Sequence, residues 1–440
     1  MNEVKPSDIK IVTDAYEEYF AYLNKTNIFN WQEFKSFIEP YFRKAGYRTP
    51  PRAENSNPNI LIIHDSAAGD FITMSGAIRE IRRLYPTANI TLVVSPLATS
   101  LAEGCPHVHE VIVNPHPFHL RFMPSFIRNM EFSKTLLQTR FDICYCFTRL
   151  PGTPALMYMS GARTRITNLL MDTDLESAGD VPLRLSINLA TNIVPPYKFG
   201  ESVVDANFSL VDYFLQMPVA NRELEVWYTL LDLKLVEDFF KKVSHPCYAL
   251  AMGASDPKRR YPPEKYAQLI KMILNEEPTA NFIILGSGKD DEISAQILGV
   301  HLGENIFANR VANLVGKNSY RQVAAILKFC DFYIGNYTGI MHAAAAVKCP
   351  VLAVHCFPKN LESNQVMDTK LFAPYKVPAV TVQPKKSLPE CAVNEPYHYV
   401  GCRQDKPHCI TQIEPATLFK GLKILKEKVT RKIIDTTFIS

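Results

Sequence analysis

Asn59-Ile-Leu-Ile-Ile-His64, then Asp65-Ser-Ala-Ala-Gly-Asp70, then a run carrying Ile72, Ile78, Ile81 and Leu84, is the stretch that decides the fold. Four consecutive aliphatics fit a strand buried on both faces. The apolar spacing that follows is helical, and a loop of small and polar residues stands between the two. The same grammar returns in Asp331-Phe-Tyr-Ile-Gly-Asn336, Tyr337-Thr-Gly-Ile-Met-His342 and the alanine run Ala343 to Ala346. At each junction a buried strand delivers the chain to a helix N-terminus. Unpaired N–H groups and the positive end of the helix dipole suit that point to phosphate or another anion. In an open α/β sheet, ligands collect beyond the carboxyl ends of the strands. About 270 residues separate the junctions, roughly the scale of a domain, which predicts two α/β domains facing across a cleft.

Outward from these anchors the chain alternates. Strands are predicted at 59–64, 90–95, 109–113 and 142–147, with helices at 71–84, 124–139 and 152–160. After an inter-domain region predicted at 195–245, opened by Pro195-Pro196, strands are predicted at 247–252, 281–286, 331–334 and 350–354. Helices are predicted there at 263–275, 290–300, 319–328 and 339–347. Alternation of this kind means mainly parallel sheets covered on both faces. The Pro-, Lys- and Cys-rich segment 360–413 reads as irregular surface, and an amphipathic helix at 415–429 closes the chain. Ahead of the first strand, residues 7–48 read as two short helices. Tyr16, Phe20 and Leu23 share one face, as do Phe34, Ile38 and Tyr41, and Asn30 with Glu33 is a candidate capping box. Pro40 is expected to interrupt the second. These aromatic stripes fit docking on the first domain; Arg43, Lys44, Arg48 and Arg52 open a second reading, an acceptor- or membrane-contacting extension. The expected division is a helical extension at 1–56, one domain at 57–220 and another at 221–430.

Composition narrows the class. An apolar content of 47% with 21% charged residues is that of a globular protein. No run of about 18 apolar residues is present, so no transmembrane helix is expected. Met1-Asn-Glu-Val-Lys-Pro6 lacks an apolar signal core, so a cytoplasmic location is expected. A net charge of +4 is too small to argue for nucleic acid, and is compatible with an anionic ligand or peripheral attachment to an acidic membrane. Ten cysteines in such a chain read as core thiols rather than a disulfide framework.

The junction residues also carry a resemblance. The stretch from Asn59 through Pro96 is similar to the opening of the bacterial heptosyltransferase family (glycosyltransferase family 9), which adds heptose to lipopolysaccharide core. Gly253-Ala-Ser-Asp-Pro-Lys-Arg-Arg-Tyr-Pro-Pro-Glu264 resembles that family's Gly-Ala-Ser…Lys-Arg-Trp-Pro-Pro-Glu loop. Gly335-Asn-Tyr-Thr-Gly-Ile-Met-His342 resembles its Gly-Asn-Asp-Thr/Ser-Gly-Pro-Met-His signature. The resemblance runs from about residue 57 to about 425 in the same order. It implies a GT-B type α/β fold, two facing Rossmann-like domains with parallel sheets, with the last helix packing back on the N-terminal domain. It also implies an inverting, metal-independent enzyme with no cofactor, moving a sugar from ADP-heptose to a glycolipid or protein acceptor. A catalytically idle nucleotide-sugar-binding relative, or a two-domain sugar-nucleotide epimerase, are the other readings of the same architecture.

Specific residues follow. Inverting transfer passes through an oxocarbenium-like state and needs a base at the acceptor hydroxyl. Asp70 matches the family's catalytic aspartate, though as a βα-turn acid it also suits a helix cap; Asp65 is the rival carboxylate. Ser66 and Gly69 line the same loop. Lys258, Arg259 and Arg260 offer cations that offset charge growing on the departing diphosphate, and Arg259 aligns with the family's phosphate-binding lysine. Thr338 and Gly339 stand at the helix N-terminus for the donor's phosphates, and His342 matches the family's histidine. Asp290, in Gly286-Ser-Gly-Lys-Asp-Asp291, is the expected ribose acceptor. Tyr337 stands where the family has Asp, and its ring is expected in the cleft beside the donor sugar. Asp172-Thr-Asp174 reads as a surface loop rather than a metal-binding acidic pair. Cys391, Cys402 and Cys409, with His398 and His408, form the candidate metal cluster, a weak one because no C-x-x-C pair is present.

Overall fold

Ile60, Leu61, Ile62 and Ile63 are all fully buried, as a strand covered on both faces requires. The structure, a computed structural model, describes residues 4–26, 31–48, 57–115, 122–148, 153–168, 189–194, 201–359, 369–389 and 406–440. Two compact units divide the chain: residues 1–198 with 205–222, and 199–204 with 223–440.

The first unit opens with α1 (Pro6–Thr26) and α2 (Trp31–Lys44), then alternates β1 (Asn59–His64), α3 (Ala68–Leu84), β2 (Asn89–Val94), α4 (Thr99–Ala102) and β3 (Glu110–Val113). It continues with α5 (Phe122–Leu136), β4 (Ile143–Cys146), α6 (Thr153–Met159), β5 (Thr164–Asn168), β6 (Asn192–Val194) and α7 (Val203–Leu215), whose first two residues belong to the second unit. All pairings are parallel, in the order β3-β2-β1-β4-β5-β6. Strand order reverses between β1 and β4, which makes the loop after β1 the expected ligand edge.

The leading helices are core rather than appendage. Tyr16, Leu23, Phe34 and Ile38 are buried with Tyr158 and Met159 of α6, and the Tyr16 hydroxyl donates to the Met159 carbonyl at 2.9 Å. Pro40 lies inside α2 rather than ending it. Arg48 is not available to a ligand. It pairs with Glu39, donates to the Tyr158 carbonyl at 2.6 Å and sits 4.0 Å from the Phe42 and Tyr158 ring centroids. That corrects its reading as a contact for a membrane or acceptor. Asn30, Arg52, Pro195-Pro196 and Asp172-Thr-Asp174 lie outside the described residues.

The second unit runs α8 (Leu230–Phe240), β7 (Cys247–Ala251), α9 (Pro263–Glu276), β8 (Asn281–Leu285), α10 (Lys289–Leu302), α11 (Glu304–Arg310), β9 (Val311–Asn313) and α12 (Tyr320–Phe329). Then come β10 (Phe332–Asn336), α13 (Gly339–Ala346), β11 (Val351–Val354), β12 (Ala379–Val382), α14 (Pro415–Thr430) and β13 (Thr436–Ile439). The sheet is again wholly parallel, ordered β13-β12-β11-β10-β7-β8-β9, with its reversal between β7 and β10. β12 is fully buried within a segment expected to be irregular surface. α14 buries Leu418, Leu422 and Leu425 in the second unit's core with Leu352, Val380 and Val382. Its apolar face therefore serves its own sheet. No described helix is long and apolar enough to cross a membrane.

Candidate active site

In the first unit, the chain leaves β1 through Asp65-Ser-Ala-Ala and enters α3 at Ala68. Ala67 is the N-cap and makes no side-chain cap bond. Asp70 is the third helical residue, so its carboxylate sits in the positive first turn without acting as the cap. The Ser66 hydroxyl donates to Asp70 Oδ2 at 2.8 Å, and the Ser95 hydroxyl holds the Ser66 carbonyl at 2.5 Å. Behind the turn, the Thr73 hydroxyl donates to the Asp70 carbonyl at 2.6 Å, and Asn207 Nδ2 donates to Thr73 Oγ1 at 3.1 Å. Asp70 is half-buried, fixed on one oxygen by a neutral donor.

Asp65 behaves differently. It is fully buried, with Oδ1 accepting from the Thr153 hydroxyl at 2.7 Å and Oδ2 from Asn114 Nδ2 at 3.4 Å. Burial raises its pKa above the ordinary value against those hydrogen bonds. It ties the loop after β1 to the start of α6 and the end of β3, which suits holding the edge rather than meeting a substrate.

In the second unit the reversal point is organised by Asn336, the last residue of β10 and fully buried. Its Oδ1 accepts from the Tyr261 N–H and the Tyr266 hydroxyl, each at 3.1 Å. Its Nδ2 donates to the Met252 carbonyl at 2.5 Å. One amide thus fixes the exits of both β7 and β10. Between Met252 and Tyr261 runs the basic loop, where Asp256 caps a single turn (Pro257–Arg259) by accepting from the Lys258 N–H at 3.1 Å. Lys258 and Arg259 are half-exposed at that turn. Arg260 points to protein instead: its Nε donates to the Ala254 carbonyl at 2.9 Å, and Nη1 lies 3.0 Å from Asp290 Oδ2. Across the reversal, Thr338 is the N-cap of α13 with extended backbone and no side-chain cap bond, and Gly339 follows as the first helical residue.

Of the two aspartates after β8, Asp290 is the exposed partner of Arg260. Asp291 turns inward, accepting from the Ser287 N–H at 2.6 Å, and burial raises its pKa. Its oxygens fill the space a side chain would need at two glycines. A Cβ on Gly253 would lie 2.1 Å from Asp291 Oδ1, and one on Gly286 2.5 Å from Oδ2. The glycines of both loops thus admit a carboxylate, a role hidden in the sequence.

The Tyr337 hydroxyl has a partner within the second unit. That group donates to the Thr369 carbonyl at 2.6 Å, so it anchors the 369 segment within the second unit. Its ring meets His355 edge-on at 4.3 Å between centroids. His355, unremarked in the sequence, is buried and neutral: its pKa is pushed down to about 3 by burial and by the Arg259 charge, and its Nδ1 accepts from the Phe357 N–H at 3.0 Å. His342 is buried one turn into α13, with Phe372 at 6.4 Å between ring centroids. Cys409 is buried beside His408, at 3.5 Å from Nδ1, while Cys391, Cys402 and His398 lie outside the described residues. Among the described residues no three His, Cys, Asp or Glu side chains are grouped to hold a metal.

These edges have recognisable relatives. The model of glycosyltransferase family 9 (heptosyltransferase) matches residues 131–363, more than half of the chain. The chain belongs to glycosyltransferase family 9. Lipopolysaccharide heptosyltransferase 2 of Salmonella typhimurium is 24% identical over 306 residues, 67% of this chain and 82% of that protein; its Escherichia coli counterpart is 24% identical over 304. The E. coli ADP-heptose lipopolysaccharide heptosyltransferase II structure covers 84% of this chain and 99% of its own, with a TM-score of 0.59 at 18% identity. A family 9 glycosyltransferase from Veillonella parvula gives 0.61 at 16% identity, covering 86% and 100%. Membership makes this protein a glycosyltransferase of the heptosyltransferase family, as the sequence resemblance implied.

Proposed function

We propose that this protein is an inverting, metal-independent heptosyltransferase that moves heptose from ADP-heptose to a glycolipid of the lipopolysaccharide-core type. The observation that carries the reading is the Asn336-centred edge of the second unit. There one buried amide sets the basic turn at Lys258 and Arg259 beside the helix N-terminus at Thr338 and Gly339. A helix N-terminus and fixed cations together suit a diphosphate.

In this scheme the first unit supplies the base and the second holds the donor. Asp70, oriented by Ser66, takes the proton of an acceptor hydroxyl. The hydroxyl oxygen attacks the anomeric carbon from the face opposite the nucleotide, and the bond to the diphosphate oxygen breaks, releasing ADP. Lys258 and Arg259 face charge that grows on that oxygen, so they act more strongly on the transition state than on the bound donor. Arg260 is a strut of the loop. Asp290 and His342 remain donor-side residues in the proposal, Asp290 for the ribose hydroxyls. The enzyme would work in the cytoplasm, against the inner face of the membrane where such acceptors reside.

The test is product analysis. Purified protein given ADP-heptose and a heptose-deficient core glycolipid should release ADP and add one heptose to the lipid, seen by mass. Transfer to a protein acceptor only would replace the glycolipid with a polypeptide. Turnover of UDP-sugars but not ADP-heptose would overturn the donor assignment.

A further inference from the structure

The helix α10 carries two apolar faces. Ala295, Leu298 and Leu302 are buried in the second unit's core. On the other side Ile293, Ile297 and Val300 follow one another at i, i+4 and i+7, a spacing that keeps them in one row, and they are 44%, 37% and 80% exposed. Residues 201–359 are described without a break, so the helix and its sequence neighbours are complete. Aliphatics scattered singly on a surface are ordinary; a row of three is not. Ile and Val are β-branched, lose rotamer freedom in a helix and form it less readily than Lys, Glu or Gln. At solvent positions they therefore cost helix stability, and they return it only when covered. A helix apolar on opposite sides is one covered on both.

What covers the outer row follows from the residues at its ends. Lys289 stands four residues before Ile293, and Glu304, the first residue of α11, stands four after Val300. Both are exposed, and neither makes an ion pair among the described residues. Read backwards, the series Lys289, Ile293, Ile297, Val300, Glu304 keeps its polarity and reverses its charge. Laid antiparallel on itself about a twofold axis between Gln296 and Ile297, it sets Ile293 beside Val300 of the partner copy. The same operation sets Lys289 beside Glu304 of the partner copy, and each contact occurs twice. The helix dipoles then run opposed. A self-complementary patch of this kind is what a twofold contact between identical chains requires. The helix's other charged residues, Asp290, Asp291 and Glu292, are all acidic, which disfavours an anionic lipid surface as the cover.

We propose that α10 pairs with α10 of a second copy of this chain, closing an antiparallel homodimer through the second unit. The pairing does not depend on the function proposed above, and its readout is mass rather than turnover. A helix of 14 residues is about 21 Å long, so one helix per copy buries less than the roughly 1,200 Å² of a standard stable interface. The dimer is therefore reversible, with a dissociation constant in the micromolar range.

The experiment is sedimentation velocity of the full chain from about 1 to about 100 µM. Wild type should pass from monomer to dimer and stop there. Ile297→Glu sets like charges at the twofold axis and should raise the dissociation constant about tenfold or more. Val300→Ser, at the most exposed position of the row, should weaken association with the melting temperature unchanged, which separates the contact from folding. Lys289→Glu and Glu304→Lys should each weaken it by about two- to thirtyfold, and the two together in one chain should restore it. Leu231→Gln with Leu235→Gln, on the exposed face of α8, should leave the equilibrium as in wild type. A monomer at every concentration, or a dimer indifferent to both Ile297→Glu and Val300→Ser, would overturn the proposal. So would a double charge reversal without rescue, dissociation by the α8 pair instead, or assembly that continues past two copies.

Discussion

Replacing Asn336 with leucine removes the amide that joins the exits of β7 and β10 while keeping side-chain volume close. Three partners are stranded: the Tyr261 N–H, the Tyr266 hydroxyl and the Met252 carbonyl, all buried with Asn336 itself at 0% exposure. A buried polar group left without its partner costs about 1–3 kcal/mol. The Tyr266 hydroxyl can rotate in search of another acceptor, so the two backbone groups dominate and the expected loss is about 3–5 kcal/mol. A domain is stable by only about 5–15 kcal/mol, so a large share of the second unit's margin is at stake. Asn336→Asp keeps the two accepted bonds but loses the donated one and introduces a buried charge, so it should also destabilise. The assay is urea unfolding of the full chain followed by circular dichroism and tyrosine fluorescence, with ADP affinity measured on the fraction still folded. The second unit's transition should move to lower urea in both variants, and ADP binding should weaken as the basic turn loosens. A loss below about 1 kcal/mol for Asn336→Leu, with ADP affinity unchanged, would refute the view that this amide organises the site.

Arg259→Gln should weaken ADP-heptose turnover by on the order of 100-fold, with the larger part in kcat, because its charge is needed most as the diphosphate departs; steady-state kinetics with an effect confined to KM would contradict that. Tyr337→Phe removes the bond to the Thr369 carbonyl and should cost about 0.5–1.5 kcal/mol in unfolding free energy, with donor preference unchanged. A switch of preferred sugar in the phenylalanine variant would mean the hydroxyl reads the donor after all. His355 makes a pH prediction. Its folded pKa of about 3 lies below the ordinary 6.5, so the unfolded chain binds the proton more readily. Stability is therefore full above the ordinary value and is lost as pH falls from about 6.5 toward 3. His355→Gln should flatten that part of the stability curve, and an unchanged acid limb would contradict the assignment.

Much of the architecture was legible because parallel strands buried on both faces advertise themselves. Asn59–His64, Asn89–Val94, Cys247–Ala251 and Asn281–Leu285 are near-continuous apolar runs, and each fell within a residue of its expected place. Thr164–Asn168, Asn192–Val194 and Ala379–Val382 escaped notice: they are five, three and four residues long and stand in polar or proline-rich company. The helices Val203–Leu215 and Leu230–Phe240 were hidden within a stretch read only as a connection. At the site, sequence similarity pointed to the loops but not to the hands within them. Choosing between Asp290 and Asp291 depends on which way the first turn of α10 faces, and only packing against Gly253 and Gly286 shows that Asp291 turns inward. Arg260 belonged to a basic triplet until its neighbours showed it bound to protein. Asn336 stood inside a recognised signature, but its part in joining two strand exits, like the burial of His355, comes from chain segments brought together across the sheet.

The proposed role of Asp70 as base of a heptosyl transfer is checked by the kinetics of Asp70→Ala with ADP-heptose and a core glycolipid. ADP-heptose binding should stay close to wild type, because the donor edge lies in the other unit, while kcat should fall by roughly 100- to 10,000-fold, the usual contribution of a positioned base. Wild-type turnover in the alanine variant would contradict it. So would wild-type protein that binds ADP-heptose but transfers heptose to no acceptor.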